Sequence, residues 1–225
     1  MASTSFESRK TLRFIIVIGM LSAIAYCAVL LGKLVPNVAG FLSYDPKDAV
    51  VVIAGFIYGP LASLLISVIV SLVEMVTVSQ TGLYGLLMNI VSTCAFALPA
   101  VAIYRVKRTK AGAVIGLAVG VAVMSGTMVL WNYIITPLYM GVPREQVAGM
   151  LATVFLPFNA IKGTINAALV MMVYKPLITA LRKTKLVDDP DSGNSKRRIS
   201  IWTIAIAAAV LVTAVMLLLV LAEVI

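Results

Sequence analysis

A lysine stands inside a long apolar stretch near residue 160, flanked by Asn159 and Asn166 at intervals of three and four residues. In a helix this spacing puts Asn159, Lys162 and Asn166 on one face. The lysine brings three donors and no acceptor, and each asparagine amide both donates and accepts. Such a face could read the edge of a flat, heteroatom-rich ligand, or it could hydrogen-bond to a neighbouring helix and hold a bundle together. No acidic residue lies close in sequence to Lys162 to serve as a counterion. An uncompensated charge in an apolar segment is costly enough to point to a pathway or a binding site.

Other polar residues interrupt apolar runs. Asn132 lies between Trp131 and Tyr133, and Thr136-Pro137-Leu138-Tyr139 follows. The group reads as an aromatic-lined pocket with one inward amide, or as a belt of aromatics at a membrane interface. Asn89, Ser92, Thr93 and Phe96 share another helical face; packing suits Ser92 and Thr93, while Asn89 fits packing or a site. Glu74 falls near the end of its apolar run, where it could reach interfacial water. Gly19, Ala23 and Cys27 recur every four residues. Small residues at that spacing let another helix approach closely, from this chain or from a second membrane protein.

The exclusions are as informative. The chain has no histidine and no clustered carboxylate pair, so no transition-metal site is expected. Cys27 and Cys94 sit in apolar runs and read as packing residues. There is no phosphate-binding Gly-x-x-x-x-Gly-Lys-Ser/Thr loop, no Gly-x-Ser-x-Gly elbow and no His-Glu-x-x-His helix. No repeat relates the two halves, as many secondary transporters would have. Binding without self-powered pumping is the reading that remains. A membrane enzyme using Glu74 and Lys162 as acid and base, and a non-catalytic scaffold, are the alternatives.

The elements that must position these residues are membrane spans. Of the 225 residues, 61% are hydrophobic and 12% charged, against about 25% charged in an ordinary soluble domain. Mean hydropathy is +1.06. Apolar runs of helix-spanning length, without period-two alternation, predict an all-α integral membrane protein. The spans are read as Leu12–Lys33, Asp48–Tyr58, Pro60–Val78, Tyr84–Tyr104, Ala113–Tyr139, Thr153–Leu181 and Ile201–Val224. The second is short, and Gly59-Pro60 turns the chain after it. The first run is too long for a signal-peptide core and is expected to persist. Three regions result: a six-helix bundle over 1–182, a charged linker over 183–199, and an extra C-terminal transmembrane helix over 200–225.

Alternating spans put fourteen of the eighteen basic residues on one side: Arg9, Lys10 and Arg13; Arg105, Lys107, Arg108 and Lys110; and the seven from Lys175 to Arg198. Lys33, Lys47 and Arg144 fall on the other side. The positive-inside rule then places the N-terminus in the cytoplasm of a multi-pass cell-membrane protein. The net charge of +9 is accounted for by a basic face against membrane lipid, and no nucleic acid is called for.

Three stretches together resemble a known family. They are Tyr44-Asp45-Pro46-Lys47-Asp48 running into Gly55-Phe56-Ile57-Tyr58-Gly59-Pro60; Asn132-Tyr133 with Pro137-Leu138-Tyr139; and Pro157-Phe158-Asn159 with Ile161-Lys162-Gly163. Over about Leu12 to Leu181 the chain resembles the substrate-binding S component of energy-coupling-factor vitamin transporters, in particular those that bind riboflavin. The resemblance implies a six-helix bundle that takes riboflavin from outside, needs no cofactor, and is not an enzyme. It implies a transmembrane coupling subunit and two ATP-hydrolysing subunits as partners. By motif it implies that Asn132, Asn159 and Lys162 bind the flavin, with Leu42 in the first loop. Asn89, Tyr44 and Trp131 are further candidates, and Gly19, Ala23 and Cys27 the docking face. The seventh segment departs from the six-helix pattern and reads as a lipid-facing anchor or a packing helix.

Overall fold

The computed structural model describes residues 2–184 and 201–222, and within them the regular structure is helical, with one isolated bridge between Val38 and Leu42. In chain order the helices are α1 (Ala2–Gly32), α2 (Lys47–Tyr58), α3 (Pro60–Thr77), α4 (Gly82–Val106), α5 (Lys110–Met140), α6 (Arg144–Met150), α7 (Leu156–Lys183) and α8 (Ile201–Leu221). A π-helical segment, Leu151–Phe155, joins α6 to α7.

The centre of the bundle is α2. Its 12 residues rise only ~18 Å, and the run from Lys47 to Phe56 is buried except for Val50. It packs against α1, α3, α4 and α7. Gly59 ends it at φ +103°, a backbone state open to glycine, and Pro60 opens α3 with its missing N–H placed where no helical partner exists. On α3, Ser63, Ser67, Ser71 and Glu74 form the buried stripe. Their small side chains allow close contact: the Ser63 hydroxyl donates to the Val51 carbonyl at 3.0 Å.

The α4–α5 seam is tighter still. A Cβ at Gly116 would lie 2.6 Å from the Ala100 carbonyl oxygen, which is backbone and cannot swing aside. Gly116→Ala is therefore expected to destabilise the protein by about 1–3 kcal/mol, read as a lower thermal midpoint in detergent. A wild-type midpoint would show that the seam yields.

Between α1 and α2 the chain doubles back. Val38 and Leu42 exchange backbone hydrogen bonds of 2.9 and 3.0 Å across a tip at Ala39 and Gly40, both with positive φ. At the far end, α8 lies along α7. Ala214 and Leu218 of α8 join an apolar cluster with Val38, Leu42, Tyr44, Val147, Phe155, Phe158 and Ile165, while Val212, Met216, Leu217 and Val220 stay exposed. The last segment is thus a packing helix with an apolar outer face.

The first helix begins at Ala2, and its span-forming part, Thr11–Gly32, agrees with the expected Leu12–Lys33. One boundary differs from the sequence reading: the segment expected from Thr153 is preceded by α6 and the π-helical turn. Hydropathy marks the apolar centre of a helix but not its polar extension. Five helical stretches are long and apolar enough to cross a bilayer: Thr11–Gly32, Pro60–Thr77, Gly82–Val106, Lys110–Met140 and Arg144–Leu181. The expected linker lies outside the described residues from 185 to 200.

Candidate functional site

A cavity of about 500 Å³ opens between α3, α4, α5, α7 and the α1–α2 loop. Its inner wall is buried and carries Ser92, Met128, Thr136, Phe158, Asn159 and Lys162. Its outer rim is exposed and carries Lys33, Asn37, Gly40, Gln80 and Tyr84. Leu42 and Phe41 of the doubled-back loop line it from one side.

The inner wall is shaped by the π-helical segment just before α7. The Asn159 side-chain amide donates to the Phe155 carbonyl at 2.8 Å, which fixes the amide plane and leaves its oxygen as an acceptor. One turn on, the Lys162 ammonium lies 3.5 Å from Asp48 on α2. The third residue of the face turns elsewhere: the Asn166 amide donates to the Asp45 carbonyl at 3.1 Å. Asn159 and Lys162 thus line the cavity, and Asn166 ties α7 to the start of α2.

From the cavity lining, where Lys33, Glu74, Asn89 and Lys162 lie, a charge network that the sequence reading missed runs back into the bundle. The Lys47 ammonium, with no exposed surface, is bound by Asp45 and by Glu74 at 3.2 Å. Glu74 also takes Lys33 at 3.0 Å and the Asn89 amide at 2.9 Å. Asp48 accepts the Thr93 hydroxyl at 2.6 Å. Three carboxylates, Asp45, Asp48 and Glu74, thus face three ammonium groups, Lys33, Lys47 and Lys162. The expectation of no clustered carboxylate pair is corrected: folding buries Asp45 and Asp48 and gathers them with Glu74 around Lys47 and Lys162. Glu74 is likewise buried rather than bathed in interfacial water. The signal was the juxtaposition of four charged or rigid residues with a helix shorter than the other spans.

In the loop before α2, burial would raise the Asp45 carboxyl, but Lys47 and then Lys162 outweigh it and hold the group below its ordinary value. The Tyr44 phenol is pushed well above its usual range, first by burial and then by Asp48 and Asp45. Its hydroxyl is buried without a hydrogen-bond partner.

The remaining candidates divide between wall and backing. Leu42 and Asn89 line the cavity with Asn159 and Lys162. Asn132 sits one layer behind: its amide donates to the Met128 carbonyl at 2.7 Å and its oxygen accepts from Thr136 at 3.0 Å, and both of those residues line the cavity. Trp131 and Tyr44 do not line it, and the indole N–H of Trp131 is buried without a partner. Gly19, Ala23 and Cys27 lie away from it, on the exposed side of α1.

Residues 13–174 match the sequence model described as ECF transporter, substrate-specific component. The chain belongs to this family. It is therefore a multi-pass membrane protein that acts as the substrate-specific component of a transporter and not as an enzyme. Among its relatives is the riboflavin transporter RibU of Staphylococcus aureus (strain TCH60), 29% identical over 175 residues, which are 75% of this chain and 92% of that protein. The riboflavin transporter FmnP of Bacillus subtilis (strain 168) is 29% identical over 184 residues, 76% of this chain and 97% of that protein. A solved structure reported as the structure and mechanism of the S component of a bacterial ECF transporter superposes with a TM-score of 0.66 at 27% identity, covering 76% of this chain and 99% of the other. The ECF family match ends within α7, so α8 lies beyond it.

Proposed function

We propose that this chain is the riboflavin-binding S component of an energy-coupling-factor transporter, capturing the vitamin outside the cell for uptake. The observation that carries this reading is the inner wall, where Asn159 and Lys162 present an acceptor and donors side by side, beneath the apolar Leu42, Met128 and Phe158. An isoalloxazine edge alternates carbonyl acceptors with an imide N–H, and its fused rings need apolar walls. The ribityl hydroxyls take the wetter rim, near Asn89 and Asn37. The cavity volume falls within the range of small-molecule sites, and both named relatives are riboflavin transporters. Asn132 serves from behind by holding Thr136, with Trp131 and Tyr44 as backing.

In this reading α2 and α8 also cross the bilayer, giving six spans and a seventh. The N-terminus and the basic segments lie in the cytoplasm, and the cavity opens outside. A transmembrane coupling subunit docks on the Gly19, Ala23 and Cys27 face of α1, and two ATPase subunits drive release inside.

Titration of purified protein into riboflavin should quench the flavin fluorescence; absence of quenching at micromolar protein would overturn the assignment. Flavin mononucleotide is expected to bind at least about tenfold more weakly. Each lysine at the cavity already has a carboxylate partner, so a phosphate gains no free cation for the water it gives up. Equal affinity in a competition series would contradict this charge balance.

A further inference from the structure

We propose that Asp48 is a positioning residue for the substrate, setting the direction of Lys162 from behind the cavity wall. The proposal rests on the riboflavin reading above and adds a residue that does not itself touch the ligand. Asp48 has no exposed surface and does not line the cavity. One of its oxygens is fixed by the Thr93 hydroxyl at 2.6 Å. The other faces the Lys162 ammonium at 3.5 Å and has no hydrogen-bond partner.

The separation of 3.5 Å is longer than a close charge-assisted hydrogen bond, so the ammonium is held by attraction while its donors stay available to the cavity. Thr93 on α4 and Asp48 on α2 thereby aim a side chain on α7, a chain of three helices converging on one nitrogen. The other two carboxylates of the network are already engaged: Asp45 with Lys47, and Glu74 with Lys33, Lys47 and Asn89.

A double-mutant cycle on riboflavin affinity tests this. Asp48→Asn in the otherwise natural chain should weaken binding about tenfold, the scale of a lost charge-assisted hydrogen bond. In a Lys162→Met background the same change should have no further effect, because the group it directs is gone. The visible absorption band of bound flavin should coincide in the D48N and K162M proteins, a signature that a merely structural role would not produce. Wild-type affinity in D48N, or an equal loss in both backgrounds, would overturn the proposal. Should D48N fail to fold, Thr93→Val replaces it: a severalfold loss only where Lys162 is present supports the role, and a background-independent result refutes it. Failure of the unaltered protein to bind riboflavin at all would instead refute the functional reading.

Discussion

Lys162→Ala is expected to lower riboflavin affinity by about ten- to a hundredfold, since hydrogen bonds to charged groups contribute roughly 1.5–3 kcal/mol. The side chain is 5% exposed and is the only lysine on the inner wall of the cavity among the described residues. Truncation removes its donors from the ligand and leaves Asp48 buried opposite an empty space. Two readouts separate these effects: fluorescence titration for affinity, and thermal unfolding without ligand for stability. Asn159→Ala should cost less affinity, because its amide is half engaged with the Phe155 carbonyl. If affinity survives in both variants, the flavin edge lies elsewhere.

Lys47→Met should have the largest effect on the fold itself. Lys47 is wholly buried and holds both Asp45 and Glu74. Removing one member of such a network strands the charges that remain, at about 3–5 kcal/mol. For a chain of this size that corresponds to a drop of roughly 10 °C in the unfolding midpoint. Lys33 can relieve Glu74 in part, since it already lies 3.0 Å away; Asp45 has no second lysine so close. A variant as stable as the natural protein would mean that Lys47 does not neutralise this cluster.

The sequence was legible where one property repeats over many residues. The long apolar runs located α3, α4 and α5 to within a few residues, and the spacing of Asn159 and Lys162 correctly put both on one face. At Asn166 the structure takes the second of the two roles the spacing left open, a hydrogen bond that holds the bundle together, because periodicity gives the direction of a side chain and not its partner. It could not pair Lys162 with Asp48, which comes from a different helix far earlier in the chain. Nothing local in Asp45-Pro46-Lys47-Asp48 announces its burial, because charge ordinarily means solvent. Its burial depends on Glu74 and Lys162 arriving from two other helices, a tertiary fact without local trace.

The distribution of that buried charge along the chain has a consequence for biogenesis. Domains are made from the N-terminus onward, so Lys33, Asp45, Lys47 and Glu74 emerge early and can neutralise one another once α3 is complete. Asp48 emerges with them but has its ammonium partner on α7. Until α7 is synthesised, Asp48 has the Thr93 hydroxyl but not its ion-pair partner. Insertion of the Lys162 helix therefore brings the last ammonium group to the network.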